Sequence, residues 1–180
     1  MDHVVVEKRN LIHKGAIVDI YQDEMLLPNG SHELWDYIEH RMGAACVLPV
    51  LDNGKIVMVK QYRHALDRYT IEVPAGSRDS TTEDTLICAK RELEEETGYH
   101  SDNITFLLSL KTTVAFCNES IDVYLAKDLK PGKQHLDEAE NINVIEYELD
   151  ELLDMIYSGK LQDSKTVSAI LAYAVKVKQG

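Results

Sequence analysis

The sequence predicts an α+β domain of the three-layer α/β/α kind, a mixed β-sheet held between helices. Three observations carry this. The 180 residues are 44% hydrophobic and 28% charged, the proportions of one ordinary globular domain. Strand-like runs far outnumber helical ones, and they do not alternate with helices one for one, as a doubly wound parallel sheet would require.

Taken in order, residues 16–22 (AIVDIYQ) and 31–38 (SHELWDYI) flank the turn signal Leu27-Pro28-Asn29-Gly30, and 45–51 (ACVLPVL) and 55–62 (KIVMVKQY) flank Asp52-Asn53-Gly54. This spacing predicts two antiparallel hairpins. Further strand-like runs fall at 70–73, 104–110, 120–126 and 143–149. Helical patterns occupy about 82–97, 150–158 and 164–178, the last opening on a cap at Asp163-Ser164. In the first helix, Ser80 with Glu83 three residues on reads as a capping box and Gly98 as the C-terminal stop. Leu86, Ala89 and Leu93 recur at helical spacing and supply its packing face. The prolines at 28, 49, 74 and 131 mark no linker, and no internal repeat is present. Residues 1–40 read as a β-strand extension and 41–180 as the main domain.

Nineteen Lys and Arg stand against 31 Asp and Glu, a net charge of −12, which disfavours a general electrostatic grip on nucleic acid or anionic lipid. Any phosphate-bearing ligand must be met locally. The longest apolar stretch, 43–51, is far short of the roughly 20 residues that a membrane span requires. MDHVVVEKRN has no signal-like apolar run, and Cys46, Cys88 and Cys117 show no CxxC spacing. A reducing, cytoplasmic location is therefore expected. The seven histidines show no zinc-ligand spacing.

The informative segment is GSRDSTTEDTLICAKRELEEETGY, 76–99. Glu92, Glu94, Glu95 and Glu96 crowd the negative end of a helix dipole, where each anion is disfavoured by about 0.3–1 kcal/mol. The Glu92/Glu96 pair at i,i+4 adds roughly 0.2–0.5 kcal/mol of repulsion. Arg91 can lie beside Glu95, but one guanidinium does not neutralise four carboxylates, whereas hard divalent cations suit clustered carboxylate oxygens. By charge pattern alone, a solvated acidic face remains the other reading.

The segment resembles the Nudix box, G-x5-E-x7-R-E-U-x-E-E-x-G-U. Gly76, Glu83, Arg91, Glu92, Leu93, Glu95, Glu96 and Gly98 fill its fixed places. Six residues rather than five separate Gly76 from Glu83, and Tyr99 stands at the final aliphatic position. The resemblance implies the Nudix fold and a divalent cation, Mg²⁺ with Mn²⁺ as a substitute, held against a diphosphate. Glu92 and Glu96 would be the principal metal ligands, the Ala75 carbonyl a backbone ligand, and Glu95 a further ligand or a carboxylate supporting one. Arg91 would orient carboxylates, and Glu83 would brace the loop.

Outside the box, KGAIVDIY, LPNG, VKQYR, EVPAG and LDEAE are similar to the ADP-ribose pyrophosphatase branch of that family. By that resemblance Glu138 is the base that activates water and Glu140 a metal ligand opposite the box. Arg63 would meet a substrate phosphate, Glu72 a ribose hydroxyl or a guanidinium, Glu119 would lie in the acidic loop, and Trp35 would stack on adenine. The Ser-Pro-Gly turn of the branch is replaced by KTTVAFCNES, with Val114 where proline would stand. The expected activity is hydrolysis of ADP-ribose to AMP and ribose 5-phosphate by a homodimer whose N-terminal strands cross to the partner. A nucleotide sugar or another nucleoside diphosphate derivative is the alternative substrate. A non-catalytic nucleotide sensor is the alternative class, against which the intact Glu92, Glu95 and Glu96 argue.

Overall fold

The computed structural model describes residues 3–136 and 141–179. Its strands are β1 (Val5–Lys14), β2 (Val18–Leu26), β3 (His32–His40), β4 (Ala44–Pro49), β5 (Ile56–Arg63), β6 (Arg68–Glu72), β7 (Ala75–Ser77), β8 (Tyr99–His100), β9 (Asn103–Lys111), β10 (Ser120–Lys127), β11 (Lys130–Pro131) and β12 (Asn143–Tyr147). Its helices are α1 (Thr85–Thr97), α2 (Leu149–Tyr157) and α3 (Ser164–Gln179). The chain divides into two compact units, one of residues 1–43 with 111–120 and one of 44–110 with 121–180.

The first unit is an antiparallel sheet in the order β1-β2-β3. The hairpin expected around Leu27 to Gly30 is present as β2 and β3, in register from Val18↔His40 to Leu26↔His32. The strand β1 adds a third member along β2. It had no apolar alternation to announce it, because eight of its ten residues are exposed and neither face is buried.

In the second unit, β4 is the central element. It pairs in parallel with β10 and antiparallel with β7, which makes the sheet mixed. Burial on both faces explains why β4 reads as a continuous apolar run instead of an alternating one. Its side chains nevertheless alternate between two cores. Cys46 and Leu48 join Met58, Val123, Leu125, Leu152 and Ile170, where α2 and α3 pack, while Ala45 and Val47 join Cys88, Ala89 and Leu93 of α1. Helices thus cover both faces of the strands, as the sequence predicts.

Two expectations need correction. The turn at Asp52-Asn53-Gly54 is present, but β4 and β5 are not a hairpin. They meet at a single bridge, Val50↔Ile56, and β5 instead pairs with β6 and β12 in a separate sheet. The apolar side chains of β4 are better buried between β7 and β10, so tertiary packing overrides the local turn. Second, Ser80 and Glu83 do not cap α1. The cap is Asp84, whose carboxylate accepts the Leu86 N–H at 2.8 Å. Gly98 ends the helix at φ 74°, in the left-handed region that glycine reaches without penalty, and its N–H donates to the Glu94 carbonyl.

Asp84→Ala is therefore expected to lower stability by about 1 kcal/mol, and Ser80→Ala to stay within about 0.5 kcal/mol of the parent. Urea unfolding of both variants checks this; equal effects would restore the capping-box assignment.

Candidate active site

Helix α1 buries the box carboxylates Glu92 and Glu96 beside the core residues Cys88, Ala89 and Leu93. Glu92 and Glu96, one turn apart, are only 8% and 3% exposed. They are sunk against the loop that precedes the helix. The Ala75 N–H donates to Glu96 Oε2 at 3.0 Å. A methyl group on Gly76 would overlap the Glu92 carboxylate, so any side chain there would displace that carboxylate; glycine serves here through close approach and not through its φ angle. The strand β7, pinned to β4 through Cys46↔Ala75 and Ala45↔Gly76, holds this loop in place.

Arg91 is the local counter-charge. Its Nη1 donates to Glu92 Oε1 at 2.7 Å and Glu95 Oε2 at 3.0 Å, and its Nη2 to the Ser77 carbonyl at 3.0 Å. Its Nε lies 3.4 Å from Asp79 and 3.5 Å from Glu83. Burial pulls this guanidinium down, but Glu92, Glu95 and Glu83 outweigh burial and raise it above the usual arginine range. Glu83 in turn accepts the Asp79 N–H at 2.7 Å, which braces the six-residue loop.

Among the described residues, no three His, Cys, Asp or Glu side chains converge as a finished metal site. The donor set nevertheless fits a hard divalent cation: buried carboxylate oxygens on one helix face, close against the backbone at Gly76. Glu138 and Glu140 lie outside the described residues. The chain before them is tied to the end of α1, and the chain after them is tied to Gln134. The His135 N–H donates to the Glu95 carbonyl at 2.9 Å, and Gln134 Nε2 donates to the Glu96 carbonyl at 2.7 Å and to the Ile142 carbonyl at 3.2 Å. These bonds satisfy C-terminal helix carbonyls that α1 cannot satisfy itself.

Arg63 and Glu72 meet each other directly. Arg63 Nε and Nη2 donate to the two Glu72 oxygens at 2.7 and 2.6 Å, a bidentate pair. Of the two expectations for Glu72, the guanidinium is the partner found. A participant that sequence reading missed is Lys165, buried at the start of α3. Its Nζ reaches Glu72 Oε2 at 2.5 Å and Asp163 Oδ2 at 2.9 Å. Asp163 also caps α3 by accepting the Thr166 N–H at 3.1 Å, while Thr166 Oγ1 accepts the Val73 N–H at 3.0 Å. The two cations and two anions cancel. No spacing rule could have joined residues 93 positions apart.

Trp35 and Glu119 belong to the first unit. Trp35 is 43% exposed on β3 and lines a cavity of about 590 Å³ with Leu34, Asp36, Ile38, Ala115 and Phe116. Glu119 accepts from Thr112 Oγ1 at 2.5 Å and lies 3.8 Å from His40 Nε2.

Comparisons with known proteins accord with this geometry. Residues 40–169 match the NUDIX domain family. The chain is 40% identical over 165 residues to a methanol dehydrogenase activator of Bacillus methanolicus, covering 91% of this chain and 88% of that protein. It is 39% identical over 161 residues to an ADP-ribose pyrophosphatase of Bacillus subtilis (strain 168), covering 88% and 86%. A crystal structure of an ADP compounds hydrolase superposes with a TM-score of 0.89 at 19% identity, covering 98% of this chain and 95% of that one.

The Glu72 carboxyl yields a pH prediction. Burial pushes it up, but the bonds from Arg63, Lys165 and Thr70 prevail and hold it at about 2, against 4.5 for a free glutamate. A depressed folded value contributes stability that is complete above pH 4.5 and is lost as pH falls towards 2. In acid-titrated urea unfolding, Glu72→Gln is expected to lower stability at pH 7 and to flatten the decline between pH 4.5 and 2. An unchanged acid slope in that variant would contradict the assignment.

Proposed function

The chain belongs to the Nudix family, and from this we propose that it is a divalent-metal-dependent pyrophosphatase that converts ADP-ribose and water to AMP and ribose 5-phosphate. The observation that carries the reading is the buried Glu92 and Glu96 pair, seated one turn apart against Ala75 and Gly76. Two carboxylates buried at the negative end of a helix are costly unless a cation is part of their function. Glu92, Glu96, Glu140 and the Ala75 carbonyl would hold Mg²⁺, or Mn²⁺ in its place. Such a bound cation neutralises the diphosphate and makes water more acidic.

The chain's own groups do the rest. Glu138 takes a proton from the attacking water as its oxygen approaches phosphorus in line, and the bridging P–O bond breaks. Glu95, held by Arg91, supports the ligand pair. Arg91 donates to Glu92, Glu95 and the Ser77 carbonyl, and in this reading it positions the carboxylates and does not bind substrate. Arg63, aimed by Glu72, meets a substrate phosphate. A reducing cytoplasm suits the three free cysteines, of which Cys46 and Cys88 are pushed by burial up to about 12 and are inert as nucleophiles.

The first unit supports a homodimer. Leu34, Trp35, Val114 and Phe116 are all large apolar side chains with at least 43% of their surface exposed. A three-stranded sheet with such a face needs another surface to cover it, and a second copy in C2 symmetry is the commonest solution. Trp35 would then stack on the adenine.

Glu96→Gln is expected to lower kcat at least 10²-fold, about 2.7 kcal/mol of transition-state stabilisation, with the fold retained. Glu138→Gln should cut kcat with little change in substrate affinity. Near-normal metal-dependent turnover in Glu96→Gln would overturn the reading, and product analysis over ADP-ribose and a panel of nucleotide sugars would identify the substrate. For assembly, the sedimentation mass at micromolar concentration should be twice the 20.4 kDa of the chain. A mass of one chain would exclude the dimer. Saturating ADP-ribose should change Trp35 fluorescence, and no change would remove Trp35 from the site.

A further inference from the structure

Within the second unit, β6, the segment joining it to β5, and the α2–α3 connection line a cleft of about 470 Å³ that also contains Arg63, Glu72, Asp163 and Lys165. Those four groups neutralise one another, as described above. The charges on the exposed rim do not cancel. Arg68 stands directly opposite Arg63 in the β5–β6 register, a like-charge pairing that destabilises a hairpin. Arg63 is compensated by Glu72, but Arg68 donates only to the neutral Gln162 amide oxygen at 2.6 Å. Lys160, on the α2–α3 connection, also lines the cleft and is exposed. Among the described residues neither Arg68 nor Lys160 has a carboxylate partner. A chain with a net charge of −12 therefore has two uncompensated cations on the rim of one cleft. The remaining lining includes Leu66, Tyr69, Ile71 and Leu161, which offer apolar surface to the carbon skeleton of a small molecule.

We propose that this cleft is a binding site for a phosphorylated small molecule, with Arg68 and Lys160 gripping its phosphate and Leu66, Tyr69 and Leu161 contacting its carbon body. A compact dianion matches the charge left over on Arg68 and Lys160. The site extends the hydrolase reading but does not depend on it: the two share Arg63 and Glu72, whereas Arg68 and Lys160 have no part in that reading. The phosphate could belong to the non-adenylate half of the substrate or to a separate phosphorylated effector.

The test is isothermal titration of the metal-free protein with ribose 5-phosphate and, as a control, ribose. Removing metal keeps the box carboxylates from recruiting phosphate. Wild type should bind ribose 5-phosphate at least tenfold more tightly than ribose. The surface double variant Arg68→Ala/Lys160→Ala should lose at least tenfold of that affinity while its ribose titration and thermal midpoint stay unchanged. Equal binding of the two ligands by wild type, or undiminished ribose 5-phosphate binding by the variant, would overturn the proposal. With metal and ADP-ribose present, competitive inhibition by ribose 5-phosphate that the double variant loses would assign the site to the substrate's own half. A change in kcat at saturating ADP-ribose that the variant loses would assign it to an effector. Failure of wild type to hydrolyse ADP-ribose would count against the hydrolase reading and leave the titration decisive for the cleft.

Discussion

Arg91 is the interaction on which the rest of the site depends. The C-terminal turns of α1 place Glu92, Glu95 and Glu96 where the helix dipole disfavours anions. The guanidinium of Arg91 reaches Glu92 and Glu95 at hydrogen-bond distance and lies near Asp79 and Glu83. It also donates to the Ser77 carbonyl, so the same cation that reduces repulsion along the helix draws the preceding loop against it. A lysine could not repeat this, since the contacts need a planar fork with donors in several directions. Electrostatic compensation and loop geometry are therefore one constraint, and Gly76 completes it by letting the Glu92 carboxylate approach the backbone.

That constraint works because the helix itself cannot shift. Cys88, Ala89 and Leu93 are completely buried against Ala45 and Val47 of β4, whose alternate residues Cys46 and Leu48 belong to the core beneath α2 and α3. Close packing on both faces of one strand transmits position with little slack. The loop from β6 to β7 is fixed from the other side, where the neutral network of Arg63, Glu72, Lys165 and Asp163 joins the hairpin to the start of α3. Burying Glu72 and Lys165 is tolerable only because each has a partner in hydrogen-bonding geometry. The box therefore sits between an apolar clamp and a polar one, and its carboxylates keep their placement without a fully converged ligand set.

What the sequence determined by itself was local. The spacing from Glu83 to Gly98 set one helix, its glycine stop and the face on which its carboxylates lie, because contacts at i,i+3 and i,i+4 and a left-handed terminal glycine depend on neighbours only. The mixed sheet and its helical cover were also legible, from strand-like runs that outnumber the helical ones and do not alternate with them one for one. Pairing was not. The Asp52-Asn53-Gly54 turn was real while the hairpin it suggested was not, since the partner of a strand is chosen by which faces can be buried together. The strand β1, exposed along most of its length, carried no pattern to read. Nor was the cap legible, where Asp84 took the place of Ser80 by a difference of one helical turn. Only the tertiary structure could show that Lys165 shares Glu72 with Arg63, that Gln134 closes the end of α1, and that Arg68 and Lys160 line one cleft. These groups lie far apart along the chain, and their meeting depends on how the strands and helices that carry them pack together, which no local spacing encodes.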